Sequence, residues 1–345
     1  MRHHSRPRVQ FILKRHHQYG KCSSSHSSGL WNSAYFVSDM LREAGYETEV
    51  IQVTDNNDID REVTRFNSAI VVIEAIWVVP SKFNVLKRLH PAVTWVVRGH
   101  SEFPFLASEG MAIEWICQYA RIDGVFVAFN STESFLETSV AVTASGSSQS
   151  KVLFLPNYYP VSESPLKKPD HGPTVRIGCF GAIRPLKNQL LQATAAIQFA
   201  RDSGKRLQFF INVSRVESHG DPVLKNIRAL FAQTGNELVE IPYWMEHDEF
   251  VAFIGQMDYS MCASLSETFC VVAADSVAAG IPLVASPAVS WASVGSQAKA
   301  TSIESLTATL RHVTGNQRVH RENVERLQRY GRESRELWLD WLKGF

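Results

Sequence analysis

The segment from residue 261 to residue 286 holds the residues whose types and spacing are most able to do chemistry. It reads MCASLSETFCVVAADSVAAGIPLVAS, which predicts a strand, a tight turn, a helix that ends at Gly280 and a second strand after Pro282. A helix N-terminus carries partial positive charge and exposes backbone N–H groups that favour phosphate. The amides that this turn is expected to expose belong to Thr268, Phe269 and Cys270.

Two carboxylates flank the predicted turn. Glu267 stands at the mouth of the helix, and Asp275 follows eight residues later, about two helical turns on. Carboxylates are common partners of sugar hydroxyls because each offers two strong acceptor oxygens. We predict that one acid binds a donor sugar and the other binds a ribose, so that the segment holds a nucleotide-diphosphate sugar.

The elements that must position these residues follow from an alternation of apolar β-rich runs with amphipathic stretches. This rhythm is typical of β-α-β crossovers and buried parallel sheets. Strands are predicted at 9–13, 47–53, 70–79, 93–99, 124–130, 175–181, 206–212, 237–243, 259–264 and 282–286. Helices are predicted over 32–44, after an N-cap at Ser131, from about Lys187, Asp221, His247 and Thr268, and after Gly315.

The length and one proline-rich stretch predict two domains. A chain of 345 residues exceeds the size at which a single core usually stops growing. Five prolines fall between residues 156 and 173, as expected of a linker. We predict a Rossmann-like acceptor-side domain at 1–160, a linker at 161–173, a nucleotide-sugar-binding domain at 174–318 and a helical segment at 319–345 that packs back toward the first domain. The site is expected in the cleft between the domains.

Charge and cysteine usage predict the compartment. A formal net charge of +1 gives no global attraction to nucleic acid or membrane. The five cysteines are scattered through mostly apolar runs, which suits free thiols in a reducing compartment. The apolar stretch Val9–Leu13 is far too short for a membrane span. We expect a cytoplasmic protein.

The 261–286 segment resembles the motif of the family-four class of retaining GT-B glycosyltransferases. Ser264, Glu267, Phe269 and Asp275 match that motif, as does the tail AAGIPLVAS. The resemblance implies an α/β fold of two Rossmann-like domains facing across a cleft, retention at the anomeric carbon, and a nucleotide-diphosphate sugar, with a UDP-sugar favoured, as donor. The family prefers Glu where this chain has Asp275, so the ribose contact is direct, water-bridged or lost.

The run VRIGCFGAIRPLKNQ at 175–189 resembles the phosphate-binding loop of the same family. Lys187 fits the family lysine, whereas Ala182 occupies the arginine position, and Arg184 is the candidate substitute. These cations and the helix terminus can meet the phosphate charge, so neither a metal nor another cofactor is expected. The twelve histidines show no zinc spacing.

Two N-terminal stretches extend the resemblance. VTWVVRGHSEFPF at 93–105 resembles a strand that ends in a histidine facing the donor sugar, which makes His100 a candidate. SSHSSGLWNSA at 24–34 matches a glycine-containing loop over the donor, although Gly29 could simply serve a turn with positive φ. The predicted catalytic residues are His100, Glu267 and Lys187, and the predicted donor-binding residues are Gly29, Arg184, Ser264, Thr268, Phe269, Cys270 and Asp275.

The acceptor is indicated only by local charge and a second resemblance. Residues 1–38 contain no Asp or Glu, and a basic patch suits a phosphate-rich acceptor or is a solvated tail. The region from IEAIWVVPSKF onward also resembles phage-encoded glycosyltransferases, some of which modify hydroxymethylated pyrimidines in DNA. Hydroxymethylated DNA is therefore one acceptor hypothesis, in a host cytoplasm, and a glycan or small molecule is the other. The basic residues of this region are Arg2, Arg6, Arg8, Lys14, Arg15 and Lys21.

Two other function classes stay open. A nucleotide-sugar epimerase would convert the donor without an acceptor. A non-catalytic carbohydrate-binding protein could use the same fold, because a fold does not fix a function.

Overall fold

The computed structural model describes residues 6–15, 29–162, 165–167, 171–217 and 219–345. The chain divides into two units. The first contains the described residues up to Tyr159 together with Gly331–Phe345, and the second runs from Pro160 to Tyr330. The change of unit at residue 160 lies at the start of the proline-rich stretch.

The first unit is built on a parallel sheet of six strands. Its order is β2-β1-β3-β4-β5-β6, and Val9 of β1, the second strand in this order, pairs with both Thr48 and Ile70. The inner strands are almost wholly buried because helices cover both faces of a parallel sheet. The strands are β1 Val9–Lys14, β2 Thr48–Val53, β3 Ile70–Glu74, β4 Thr94–Gly99, β5 Val125–Phe129 and β6 Val152–Phe154.

In the part of the chain that the structure describes, six helices lie between these strands. Ser131 caps the last of them as predicted, since its Oγ accepts a hydrogen bond from the Ser134 amide at 3.1 Å. The predicted strand at 70–79 was too long: it ends at Glu74 because Ala75 has a φ of 71°, outside the β region. The helices are α1 Gly29–Glu43, α2 Asp58–Phe66, α3 Lys82–Leu89, α4 Phe103–Leu106, α5 Ala112–Arg121 and α6 Thr132–Ala144.

The second unit repeats the architecture with five parallel strands. These are β7 Thr174–Gly178, β8 Arg206–Asn212, β9 Glu237–Ile241, β10 Tyr259–Cys262 and β11 Leu283–Ala285. Their order in the sheet is β11-β10-β7-β8-β9. The helices are α7 Gln189–Asp202, α8 Gly220–Ala232, α9 His247–Ile254, α10 Val271–Ala278 and α11 Ile303–Val313. The predicted α/β class is confirmed.

A long helix, α12 at Gln317–Leu342, contributes to both units. Its C-terminal part supplies Trp338 and Leu342 to the core of the first unit. The Trp338 ring lies 5.9 Å from that of Phe11, and its Nε1 donates to the carbonyl of Pro156 at 2.8 Å. None of the described helices is long and apolar enough to cross a membrane.

Candidate functional site

Three of the predicted residues converge at the carboxyl edge of the second sheet. Lys187 follows β7, while Ser264 and Glu267 follow the neighbouring strand β10. Lys187 Nζ lies 2.5 Å from Glu267 Oε1, and Ser264 Oγ donates to the same oxygen at 2.7 Å. Because carboxyl ends of adjacent parallel strands share one edge of a sheet, distant segments meet at the place where α/β folds bind ligands.

The electrostatics of this cluster keep both charges in place. Burial alone would raise the pKa of Glu267, but the charge of Lys187 and the hydrogen bonds from Lys187 and Ser264 lower it overall. Burial likewise opposes the charge of Lys187, yet the Glu267 carboxylate raises its pKa. The pair is therefore an ammonium and a carboxylate at neutral pH, with side chains 15% and 7% exposed.

Two amide side chains, one half-buried and one buried, fix the segments that carry this pair, and neither was predicted from the sequence. Asn188, at a φ of 57°, donates through Nδ2 to the carbonyls of Ala263 at 3.1 Å and Ala300 at 2.8 Å. Gln192 accepts from the Ala263 amide and donates to the Lys187 carbonyl, each at 2.8 Å. The available signal was the polar spacing of KNQLLQ at the start of an otherwise apolar helix.

The helix after β10 begins at Val271, three residues later than the predicted start near Thr268. Cys270 has a φ of 64°, which no right-handed helix accommodates. The Phe269 side chain is 2% exposed, and its carbonyl accepts from Trp291 Nε1 at 2.7 Å. Thr268, Phe269 and Cys270 thus form the turn before the helix, and the first-turn amides that lack intrahelical partners start at Val271.

Arg184, the candidate substitute for the family arginine, pairs with an acid of its own unit. Its Nη1 lies 2.8 Å from Glu217 Oε2, and Arg215 binds the other oxygen of the same carboxylate at 2.7 Å. Burial would raise the pKa of Glu217, but the charges of Arg215 and Arg184 lower it. Ala182, at the arginine position of the resembled motif, is buried. Arg184 is close enough to lower the pKa of Glu267 through its charge.

Asp275 is held by a histidine that the sequence analysis treated only as a helix start. Asp275 is 2% exposed, and its Oδ1 lies 2.8 Å from Nε2 of His247, the first residue of α9. Burial opposes protonation of His247, but the hydrogen bond to Asp275 and its charge raise the pKa overall. The neighbouring helices α9 and α10 bring the two together, a contact with no signal in the local sequence.

His100 lies in the first unit, at the carboxyl end of β4, and both of its ring nitrogens are engaged. Its Nε2 contacts the Glu74 carboxylate, and Asn130 Nδ2 donates to its Nδ1 at 3.1 Å. This pattern fits a neutral ring with the proton on Nε2. Burial and the charge of Arg98 lower the pKa of His100 against the opposing effect of Glu74.

A fully buried ion pair supports His100. Arg98 and Glu74 are both 0% exposed, and Arg98 Nη1 lies 3.0 Å from Glu74 Oε1. The other two guanidinium nitrogens of Arg98 also donate hydrogen bonds. Nε donates to the Leu155 carbonyl at 2.9 Å, and Nη2 donates to the Pro156 carbonyl at 3.0 Å and to Asn157 Oδ1 at 2.7 Å. We call Glu74, Arg98, His100 and Asn157 the Arg98 cluster. Of these four residues, only His100 was predicted from the sequence as a site residue.

Gly29 is the first residue of α1, and its φ is not positive. The interpretation of Gly29 as a residue required by a positive-φ turn is therefore wrong. Its carbonyl accepts from Ser33 Oγ at 2.8 Å, which is an ordinary helical contact. The rest of the predicted loop, residues 24–28, lies outside the described residues.

Comparison with solved structures defines the class of fold. Over nearly its whole length the chain matches GT-B glycosyltransferases, so its two Rossmann-like units have the GT-B fold. No protein-family model matches the chain, and no curated protein sequence matches it.

The matching structures include two kinds of sugar-phosphate synthase. The UDP-forming α,α-trehalose-phosphate synthase of Burkholderia vietnamiensis gives a TM-score of 0.69 at 12% identity, over 99% of this chain and 98% of that one. The sucrose-phosphate synthase of Thermosynechococcus elongatus gives 0.65 at 14% identity, over 98% of both chains. An E. coli structure described as trehalose-6-phosphate bound with UDP-2-fluoro glucose gives 0.65 at 12% identity, over 97% and 99%. At these identities the likeness establishes the fold, and the activity has to be argued from the site.

Proposed function

We propose that the chain is a retaining glycosyltransferase of the family-four type that moves a sugar from a UDP-sugar to a hydroxyl acceptor. The observation that carries this proposal is the Lys187–Glu267–Ser264 cluster beside the N-terminus of α10 on a GT-B fold. UDP is favoured as the nucleotide because one similar enzyme is UDP-forming and another structure holds a UDP-sugar analogue.

The cluster has the charges that such a transfer needs. When the donor binds, Lys187 exchanges the Glu267 oxygen for a diphosphate oxygen and stabilises the charge that grows on the leaving group. Glu267, released as a carboxylate, accepts hydrogen bonds from the hydroxyls of the sugar. The amides at the start of α10 add further donors to the phosphates.

The other predicted residues take supporting roles in this proposal. Arg184 adds positive charge near the phosphates while it stays paired with Glu217. His100 is a proposed contact of the donor sugar, for which one of its two ring hydrogen bonds has to be exchanged. Transfer with retention proceeds by attack on the same face of the sugar, without the paired carboxylates that glycoside hydrolases use.

The acceptor proposals differ in what they require of the basic N-terminal residues. The similar synthases are named for sugar-phosphate products, and a sugar-phosphate acceptor needs only a local phosphate site. Hydroxymethylated DNA needs several cations aligned with a backbone. Two described cations of this region have protein partners: Arg8 pairs with Glu47 at 2.7 Å, and Arg6 lies 5.1 Å from the centroid of the Tyr46 ring. These contacts favour the smaller acceptor.

One assay tests the proposed function against its alternatives. The purified protein is incubated with UDP-glucose, with and without a sugar-phosphate mixture or hydroxymethylated duplex DNA, in buffer containing EDTA. A transferase releases UDP faster when an acceptor is present, and an NMR time course shows a product with the anomeric configuration of the donor. An epimerase changes the sugar without releasing UDP. If UDP-glucose binds but neither reaction occurs, the protein is a binding protein, and the transferase proposal is wrong.

A further inference from the structure

The carboxylate of Glu217 is shared by two arginines. Arg184 Nη1 lies 2.8 Å from Glu217 Oε2, and Arg215 Nη2 lies 2.7 Å from Glu217 Oε1. We call Arg184, Arg215 and Glu217 the Glu217 cluster. Two cations and one carboxylate leave this cluster with one excess positive charge, whereas the Lys187–Glu267 pair has no net charge. The excess charge of the Glu217 cluster attracts an anionic ligand to this edge of the sheet.

Backbone hydrogen bonds hold the Glu217 cluster against the loop that carries Lys187. The amide of Ile183 donates to the carbonyl of Arg215 at 2.9 Å, and the amide of Glu217 donates to the carbonyl of Ile183 at 3.0 Å. Within the loop, the amide of Lys187 donates to the carbonyl of Arg184 at 3.1 Å. The segment that follows β8 is thus fixed beside the segment that follows β7.

The Lys187 loop is joined on its other side to the turn that carries Glu267. The amide of Leu265 donates to the carbonyl of Leu186 at 2.8 Å. The loops after β8, β7 and β10 therefore lie side by side, in the order of their strands in the sheet. The electrostatics agree, since burial raises the pKa of both Glu217 and Glu267 and the charge of Lys187 is among the effects that lower it. Lys187 is therefore within electrostatic reach of both acids.

Arg215 is the most exposed member of the Glu217 cluster. Its side chain is 44% exposed, against 23% for Arg184 and 20% for Glu217. The contact with Glu217 is made by one nitrogen, Nη2, of a guanidinium that carries five N–H donors. These donors form a planar fork that matches the oxygens of a phosphate. Glu217 can therefore hold Arg215 in place while other N–H groups of the same guanidinium bind a second anion.

We propose that Arg215, positioned by Glu217, binds the diphosphate of the nucleotide donor together with Lys187. The proposal rests on the proposed function, because it places a nucleotide at this edge of the sheet. It adds the loop after β8 to the donor site. Arg215 is then a binding residue, and Glu217 acts through it.

The test compares the affinity for UDP with the affinity for uridine, which lacks the phosphates, by ligand-detected NMR titration. Arg215→Ala is expected to weaken UDP binding about tenfold, the worth of a hydrogen bond from a charged donor, and to leave uridine binding unchanged. Arg215→Lys keeps the charge but loses the planar fork, so it should recover part of the lost affinity.

The replacement Glu217→Gln tests the positioning role separately. It removes a negative charge close to the phosphates, so by charge alone it would strengthen UDP binding. If Glu217 positions Arg215, UDP binding weakens instead, because the new amide has one acceptor oxygen for two arginines. Tighter binding would mean that Glu217 only opposes the phosphates, and the positioning role would be wrong.

A second arginine–carboxylate pair of the same unit provides the matched control. Arg311 on α11 pairs with Asp202, the last residue of α7, and the Arg311 side chain is 53% exposed. Asp202 precedes β8 and so lies at the opposite edge of the sheet. Arg311→Ala should bind UDP as wild type does, and an equal loss in both arginine variants would show a general effect of charge and overturn the assignment of Arg215. Hydrogen exchange in β8 and α8 checks that the variants keep their fold.

The outcomes separate this inference from the proposed function. If wild type binds UDP and folded Arg215→Ala binds it equally well, the assignment of Arg215 is wrong and the donor site at Lys187 stands. If wild type does not bind UDP at all, the proposed function fails and this inference fails with it.

Discussion

The two units place an ion pair near a sheet edge in contrasting ways. In the first unit, Glu74 and Arg98 are both 0% exposed. The Arg98 guanidinium also donates hydrogen bonds to backbone carbonyls and to Asn157 of the same unit. In the second unit, Lys187 and Glu267 keep side-chain exposures of 15% and 7%. A fully buried ion pair can only position its neighbours. A partly exposed ion pair is accessible to a ligand, so one of its partners can be exchanged for a phosphate.

Burial sets the energetic difference between these pairs. Burying an ion pair costs the hydration free energy of both charges. Their mutual attraction offsets this cost only when the remaining polar groups of the pair are also hydrogen-bonded. The ring of Trp338, 5.3 Å below the guanidinium, adds a cation–π contact that helps to satisfy Arg98. Lys187 retains some hydration, so the loss of its partner costs less.

The replacement Glu74→Ala should have the largest effect, because it strands the buried charge of Arg98. We expect the free energy of unfolding of the first unit to fall by about 3–5 kcal/mol. Hydrogen exchange in β3 and β4 measures it separately from the second unit. Glu267→Ala, the counterpart in the second unit, should cost about 1 kcal/mol. Equal losses in the two units would remove the contrast.

The replacement Lys187→Ala tests whether the second pair exchanges its partner for a ligand. Loss of a charged hydrogen bond to phosphate should weaken UDP binding by about 1.5–3 kcal/mol, measured by calorimetry. The stability of the unit should change far less. Lys205→Ala is the control, because Lys205 is exposed and precedes β8 at the opposite edge of the sheet. Unaltered UDP affinity in Lys187→Ala would mean that this pair is structural too.

Each unit has a helix with a serine N-cap, and loss of the cap should lower the stability of both units by a similar amount. Ser131 accepts from the Ser134 amide, and Ser302 accepts from the Ser305 amide, both at 3.1 Å. Each change to alanine should lower the stability of its own unit by about 1 kcal/mol. Hydrogen exchange in each unit, measured along a urea or thermal unfolding series, gives the change in stability that each replacement causes. A much larger loss for Ser131→Ala would show that the cap also supports the Arg98 cluster.

The two histidines should respond to pH with opposite signs. The pKa of His247 is raised above its ordinary value of 6.5, so its stabilising effect is complete below that value and is lost as pH rises through the raised pKa. The pKa of His100 is lowered from 6.5, so its effect is complete above that value and is lost as pH falls through the lowered pKa. Both pH dependences are measured as the free energy of unfolding of wild type, His247→Gln and His100→Gln between about pH 5 and about pH 9. Slopes of the same sign would contradict the assignment.

The sequence predicted the strands well because their signal is local. Each predicted strand exists, since a run such as VTWVVRG is apolar on both faces and suits only a covered parallel sheet. The helix start near Thr268 was misplaced because it depends on the burial of Phe269 against Trp291 and Tyr330. That packing joins residues far apart in the chain and leaves no trace in the spacing.

The candidate site shows the same limit. Ser264 and Glu267 could be placed in one site in advance because they stand only three positions apart in the chain. The partner of Asp275 is His247, 28 residues away in the chain. The partner of Arg184 is Glu217, 33 residues away. Such partners follow from the order of strands in the sheet, and periodicity does not reveal that order.

The contribution of α12 to both units has a consequence for synthesis on the ribosome. Domains usually fold as they emerge, the N-terminal one first. Here the second unit is complete at Tyr330, while the first still lacks Trp338 and Leu342 for its core. The part of the chain translated first is therefore the last to complete its core, and until Trp338 and Leu342 emerge the apolar surface around Phe11 lacks the side chains that cover it.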